Sequence, residues 1–80
     1  MLLDYIEAAM RHAHYEILAD GEGFYGEIPP CRGVLAHAAT LEACRDQLAE
    51  VLEEWVLVRV AQGLEIPPVD GNTVQVREVA

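Results

Sequence analysis

The sequence predicts an α+β domain in the order α-β-β-β-α-β, an antiparallel sheet with one long helix packed on it. Three patterns carry that prediction. Residues 13–28 alternate apolar and polar side chains around the turn Asp20-Gly21-Glu22-Gly23. Residues 41–62 hold a long amphipathic stretch of helical period, and residues 2–12 hold a shorter one.

The first helix is expected over residues 2–12, where Leu2, Leu3, Ile6, Ala9, Met10 and Ala13 recur at spacings of three and four. Asp4, Glu7 and Arg11 fall on the other side. Period two then takes over, with Tyr15 and Ile17 alternating against His14 and Glu16 as in a half-buried strand. The glycines of the next turn tolerate positive φ, and Phe24-Tyr25-Gly26-Glu27-Ile28 returns as the second strand. Pro29-Pro30 ends it, because proline has no amide proton and restrains the residue before it. Val34-Leu35-Ala36-His37-Ala38 reads as the third strand.

Thr40 is placed as a helix N-cap, with Glu42 near the positive end of the helix dipole. Leu41, Cys44, Leu48, Val51, Leu52, Trp55, Val58 and Gln62 trace the expected buried stripe, and Gly63 stands where a helix C-terminus needs it. Pro67 and Pro68 mark an extended linker within residues 64–80, Asp70-Gly71-Asn72 a turn, and Thr73–Val79 a terminal strand. One domain over residues 1–80 follows, with the sheet and long helix in 13–63.

Fourteen acidic residues against five basic ones give a formal net charge of −9. That balance opposes nucleic-acid binding, which needs a basic footprint, and suits a basic protein partner. The chain lacks an apolar run long enough for a membrane span and opens without a secretory pattern, so a cytoplasmic location is expected. Residues 55–61 are apolar around most of the helix, and we expect Trp55, Leu57 and Val60 to mediate self-association, as a homodimer or tetramer.

No catalytic constellation emerges, and neither an enzyme activity nor a cofactor or metal is expected. His12, His14 and Glu16 form a short row with two of zinc's usual ligand types, but no fourth ligand is placed by sequence. Cys31 and Cys44 match no zinc spacing; Cys44 reads as a small core residue and Cys31 as a loop thiol open to reaction.

Phe24-Tyr25-Gly26-Glu27-Ile28-Pro29, the Gly33-Val34 step, Ala36, Thr40-Leu41-Glu42, Cys44-Arg45-Asp46-Gln47-Leu48, Val51-Leu52-Glu53-Glu54-Trp55 and Gly63-Leu64-Glu65-Ile66-Pro67-Pro68 follow one another along the chain. That ordered set resembles the HicB family of antitoxins. The resemblance spans about residues 12–70 and is to the short stand-alone members. It implies a partial double-stranded-RNA-binding-like topology and a role in neutralising a small basic HicA-type toxin, an mRNA-cleaving ribonuclease, by protein contact. The chain departs from the family pattern at Ala38-Ala39, where a glycine-acid pair is common. Residues 69–80 are also too few for the DNA-binding domain that many members carry. Together with the acidic surface, the resemblance points to Glu42, Asp46, Glu50, Glu53 and Glu54 on the helix, and Glu27 and His37 on the sheet, as toxin-binding residues. The alternative is a self-assembling scaffold without a toxin partner.

Overall fold

A computed structural model describes residues 2–74 of the chain. Helix α1 (Leu2–Arg11), strands β1 (His14–Ile17), β2 (Phe24–Glu27) and β3 (Leu35–Ala38), and helix α2 (Leu41–Ala61) follow in that order. The strands form one antiparallel sheet, β1-β2-β3, with Tyr15 opposite Gly26 and Gly26 opposite Ala36. This is the predicted α+β architecture. The terminal strand has no counterpart at Thr73 and Val74, and the rest of it lies outside the described residues.

Tyr15, Gly26 and Ala36 share the sheet face that meets α2, since directly paired residues point the same way. A Cβ on Gly26 would stand 3.1 Å from the Tyr15 ring and 3.2 Å from Cys44 Sγ, so the bare glycine lets helix and sheet approach. His14, Glu16, Tyr25, Glu27, Leu35 and His37 occupy the outer face. Ile17, expected to be half-buried, is 80% exposed at the hairpin end of the edge strand β1.

The hairpin between β1 and β2 is wider than the expected tight turn. Leu18 N–H donates to the Gly23 carbonyl across a short 3-10 turn, Ala19–Gly21, with Asp20 at φ 57° and Gly21 at φ 71°. Gly23 takes φ 97°, and a Cβ there would lie 2.4 Å from the Ala38 carbonyl oxygen. Gly23→Ala is therefore expected to cost at least about 1–3 kcal/mol of stability, from strained φ and a backbone collision. Urea denaturation measures it, and a loss under about 0.5 kcal/mol would contradict the packing of this turn against β3.

Helix α2 begins as the sequence predicts. Thr40 has extended backbone, and its Oγ1 accepts the Ala43 N–H at 3.1 Å. At the other end Leu64 N–H donates to the Arg59 carbonyl and Gly63 N–H to the Val60 carbonyl, with Gly63 at φ 67°. That pair of bonds is a Schellman stop, and it needs the left-handed glycine. Between these ends Cys44, Leu48, Leu52 and Val56 form a fully buried i, i+4 row. The expected stripe is thus corrected at three positions, Leu41, Val58 and Gln62, all of which are exposed. Leu41 and Val58 are 45% and 51% exposed, and Val56 takes the inward place, because the contact row advances by four residues throughout. No helix among the described residues is long and apolar enough to cross a membrane.

Helix α1 buries the expected Ala9 together with Tyr5 and Ala8, whereas the expected Leu2 and Leu3 stay exposed. Tyr5 has distant partners: its hydroxyl donates to the Pro67 carbonyl at 2.6 Å and lies 3.5 Å from Cys31 Sγ. The segment after α2 folds back here, burying Val69 and placing Asp70 Oδ1 2.8 Å from His12 Nε2. Asp70 and Gly71 turn at positive φ between the bridged Val69 and Asn72, as in a type I′ turn.

Burial, and then the Cys31 thiol, hold the Tyr5 hydroxyl well above the ordinary tyrosine range. A phenol that resists ionisation in the folded state stabilises the fold fully below about pH 10 and loses that contribution as pH rises further. Alkaline unfolding is therefore expected above about pH 10. Tyr5→Phe should reduce the steepness of that loss while costing about 1 kcal/mol at neutral pH through the missing Pro67 bond. Denaturant midpoints across pH 8–11 check both halves, and an unchanged alkaline slope in the variant would refute the assignment.

Candidate functional site

Two rows of side chains run along α2 with the same pitch, offset by two residues and hence about 200° apart around the axis. The inner row is Cys44-Leu48-Leu52-Val56. The outer row is Glu42-Asp46-Glu50-Glu54, all exposed, with exposed Glu53 beside it. Like charges at i, i+4 repel by about 0.2–0.5 kcal/mol per pair, so this ridge costs the isolated helix stability. Among the described residues no carboxylate of the ridge lies in an ion pair, the single bridge being His12–Asp70. The ridge is an open anionic surface.

Beside its first turns lies a groove of about 740 Å³, walled by Ile6 and Met10 of α1, Tyr15 of β1, and Leu41 and Ala49 of α2. Glu7, Glu42 and Asp46 stand at its rim with Arg11 and Arg45. Apolar floor and charged rim make a shape into which a side chain of an opposing basic surface can insert. The sequence reading missed α1 as part of this surface. The available signal was the Ile6–Met10 pair at i, i+4, flanked by Glu7 and Arg11.

The seven candidate toxin-binding residues divide between two places. Glu42, Asp46, Glu50, Glu53 and Glu54 gather on α2, whereas Glu27 and His37 sit on the outer sheet face, turned away from the helix. His37 is also tied into the fold: its ring Nε2 lies 2.7 Å from the Glu22 carbonyl, which can only accept, and its backbone N–H donates to Gln47 Oε1 at 2.8 Å. The outer face is itself acidic. Partial burial, with Glu27 and Glu16 alongside, raises the Tyr25 hydroxyl above its ordinary range.

The three candidate self-association residues divide as well. Trp55 is half-buried, its indole N–H donating to the Arg32 carbonyl at 3.1 Å, and Val60 packs against the core. Leu57 is 59% exposed and is joined by Val58 and Leu64. Cys44 is a core residue, 3.8 Å from the Ala36 carbonyl. Cys31, expected in an open loop, is fully buried, and burial pushes its thiol up, away from the reactive thiolate. His12 turns toward Asp70 and does not join His14 and Glu16, and no metal-holding cluster occurs among the described residues.

No curated protein matches the chain. The crystal structure of TTHA0281 from Thermus thermophilus is similar, with a TM-score of 0.89 and 38% identity over 96% of this chain and 95% of that one. A family model described as UPF0150-like matches residues 4–67, from the first turn of α1 through α2 to Pro67, and the chain belongs to the UPF0150-like family.

Proposed function

We propose that this protein is a HicB-type antitoxin, which binds a small basic mRNA-cleaving protein of the HicA type and blocks it by direct contact. The observation that carries this reading is the carboxylate ridge Glu42-Asp46-Glu50-Glu54, unpaired among the described residues, beside the apolar groove. A helix that tolerates adjacent like charges is suited to a partner that supplies the missing cations. Membership of the UPF0150-like family is consistent with such a small antitoxin-type protein. In this reading the chain works in the cytoplasm without catalysis or cofactor, and it contacts protein, not nucleic acid or membrane. The test is stoichiometric titration of the protein into an RNA-cleavage assay run by a purified HicA-type ribonuclease. Inhibition that saturates near one equivalent and weakens with added salt is expected; cleavage unaffected by excess protein would refute the reading.

One observation favours a second role. Leu57, Val58 and Leu64 leave an apolar strip exposed at the far end of α2, suited to another copy of the chain. Sedimentation velocity at several concentrations reads it directly. A self-assembling protein that inhibits no ribonuclease would replace the antitoxin reading with that of a scaffold.

A further inference from the structure

We propose that the cleft between the Pro29–Gly33 loop and the last turns of α2 is a second binding site, and that it takes an acidic peptide segment of a partner protein. Pro30, Trp55 and Pro67 wall this cleft of about 330 Å³, and Arg32 and Arg59 furnish its charge. It draws on none of the ridge carboxylates and stands or falls independently of the antitoxin reading.

Arg59 is half-buried and held in a fixed pose. Its guanidinium lies 4.9 Å from the centroid of the Trp55 ring, and its Nε donates to the Glu65 carbonyl at 2.7 Å. Its terminal nitrogens have no protein partner among the described residues and are open to solvent, free to receive an anion. Arg32 is exposed, but its backbone is anchored, because its carbonyl accepts the Trp55 indole N–H. The loop that carries it is closed by Cys31 N–H to the Ile28 carbonyl at 2.9 Å and Val34 N–H to the Cys31 carbonyl at 3.1 Å.

Among the described residues neither guanidinium has a carboxylate within bridging distance, although the chain has 14 acidic residues and only five basic ones. Two cations line one cleft, and among the described residues no acidic side chain lines it with them. A guanidinium that is partly desolvated and already oriented binds a carboxylate with little further loss of side-chain freedom. The chemistry also selects the kind of anion. A polyphosphate backbone would meet the repulsion of a −9 chain along its length, and one face of the Trp55 ring already carries Arg59, which leaves less surface for a stacked base. A short peptide bearing one or two carboxylates beside apolar residues meets both arginines and the proline-tryptophan walls.

Trp55 is the single tryptophan of the chain, so its intrinsic fluorescence reports from the cleft itself. The probe is a tetrapeptide of leucine, glutamate, proline and glutamate, capped at both ends, titrated into the full chain at low salt. A saturable change in Trp55 emission is expected, with no response to the same peptide carrying glutamines. Arg32→Gln should weaken binding about tenfold, the scale of one charge-assisted hydrogen bond, and its circular dichroism should match the native chain because the fold uses only the Arg32 carbonyl. Native affinity in Arg32→Gln, or an equal response to the glutamine peptide, would overturn the proposal. Tighter binding of oligothymidylate than of the peptide would instead assign the cleft to nucleic acid. If the native chain is silent and Glu78→Gln makes it bind, the cleft belongs to the chain's own C-terminal segment and the proposal falls.

Discussion

Leu48→Ala is expected to lower the unfolding free energy by about 2–5 kcal/mol, enough to remove a large part of the stability of a domain this small. Leu48 is fully buried in the middle of the inner row of α2, between Cys44 and Leu52, so its truncation leaves a void that the sheet can fill only by shifting. The neighbouring core is built from small residues. Gly26, Ala36 and Cys44 meet where helix and sheet touch, and none can grow into the space without moving backbone. Leu57→Ala on the same helix is the matched control, since Leu57 is 59% exposed and should change stability by under about 0.5 kcal/mol in a monomer. Urea denaturation of both variants at two protein concentrations decides two questions together. A small loss for Leu48→Ala would contradict the docking of α2 on the sheet. A large, concentration-dependent loss for Leu57→Ala would show that a second copy covers the exposed strip.

What the sequence made legible was local. Thr40 and Gly63 set the ends of α2 through bonds to backbone three to five residues away, and the strands were marked by alternation and by Pro29-Pro30. The misplacements arose where the answer depends on distant chain. Tyr5 and Leu3 lie on opposite faces of one short helix, about 200° apart. Periodicity does not choose between those faces, but Pro67, 62 residues away, and Cys31, 26 away, give the Tyr5 hydroxyl a home that leucine does not need. Cys31 looked open because its neighbours are prolines and glycine, yet the loop tucks it beneath Tyr5. The same distinction divides the candidate site. Carboxylates spaced by four residues are visible as a ridge in any helical reading, which is why Glu42, Asp46 and Glu50 were found. That Glu27 and His37 would point away from them follows from strand register and from which sheet face the helix covers.

The ridge carries the second expected result. Replacing Glu42, Asp46 and Glu50 together by lysine should slow association with a basic HicA-type partner by at least about tenfold at low salt, because it shifts the formal charge of −9 by about +6 on one face. The difference should shrink as added salt brings the screening length below about 10 Å. Loss of binding alone could reflect a damaged helix, so stability has to move the other way. Asp46→Lys by itself converts two repulsive i, i+4 pairs, with Glu42 and Glu50, into attractive ones, and should raise the unfolding free energy by about 0.5–1 kcal/mol while weakening the complex. A fold that gains stability as it loses its partner identifies carboxylates held in place for binding at the expense of the free protein. Glu27→Lys on the outer sheet face is the opposing case: if it abolishes inhibition and the triple variant does not, the partner docks on the sheet and the ridge is only a solvated surface.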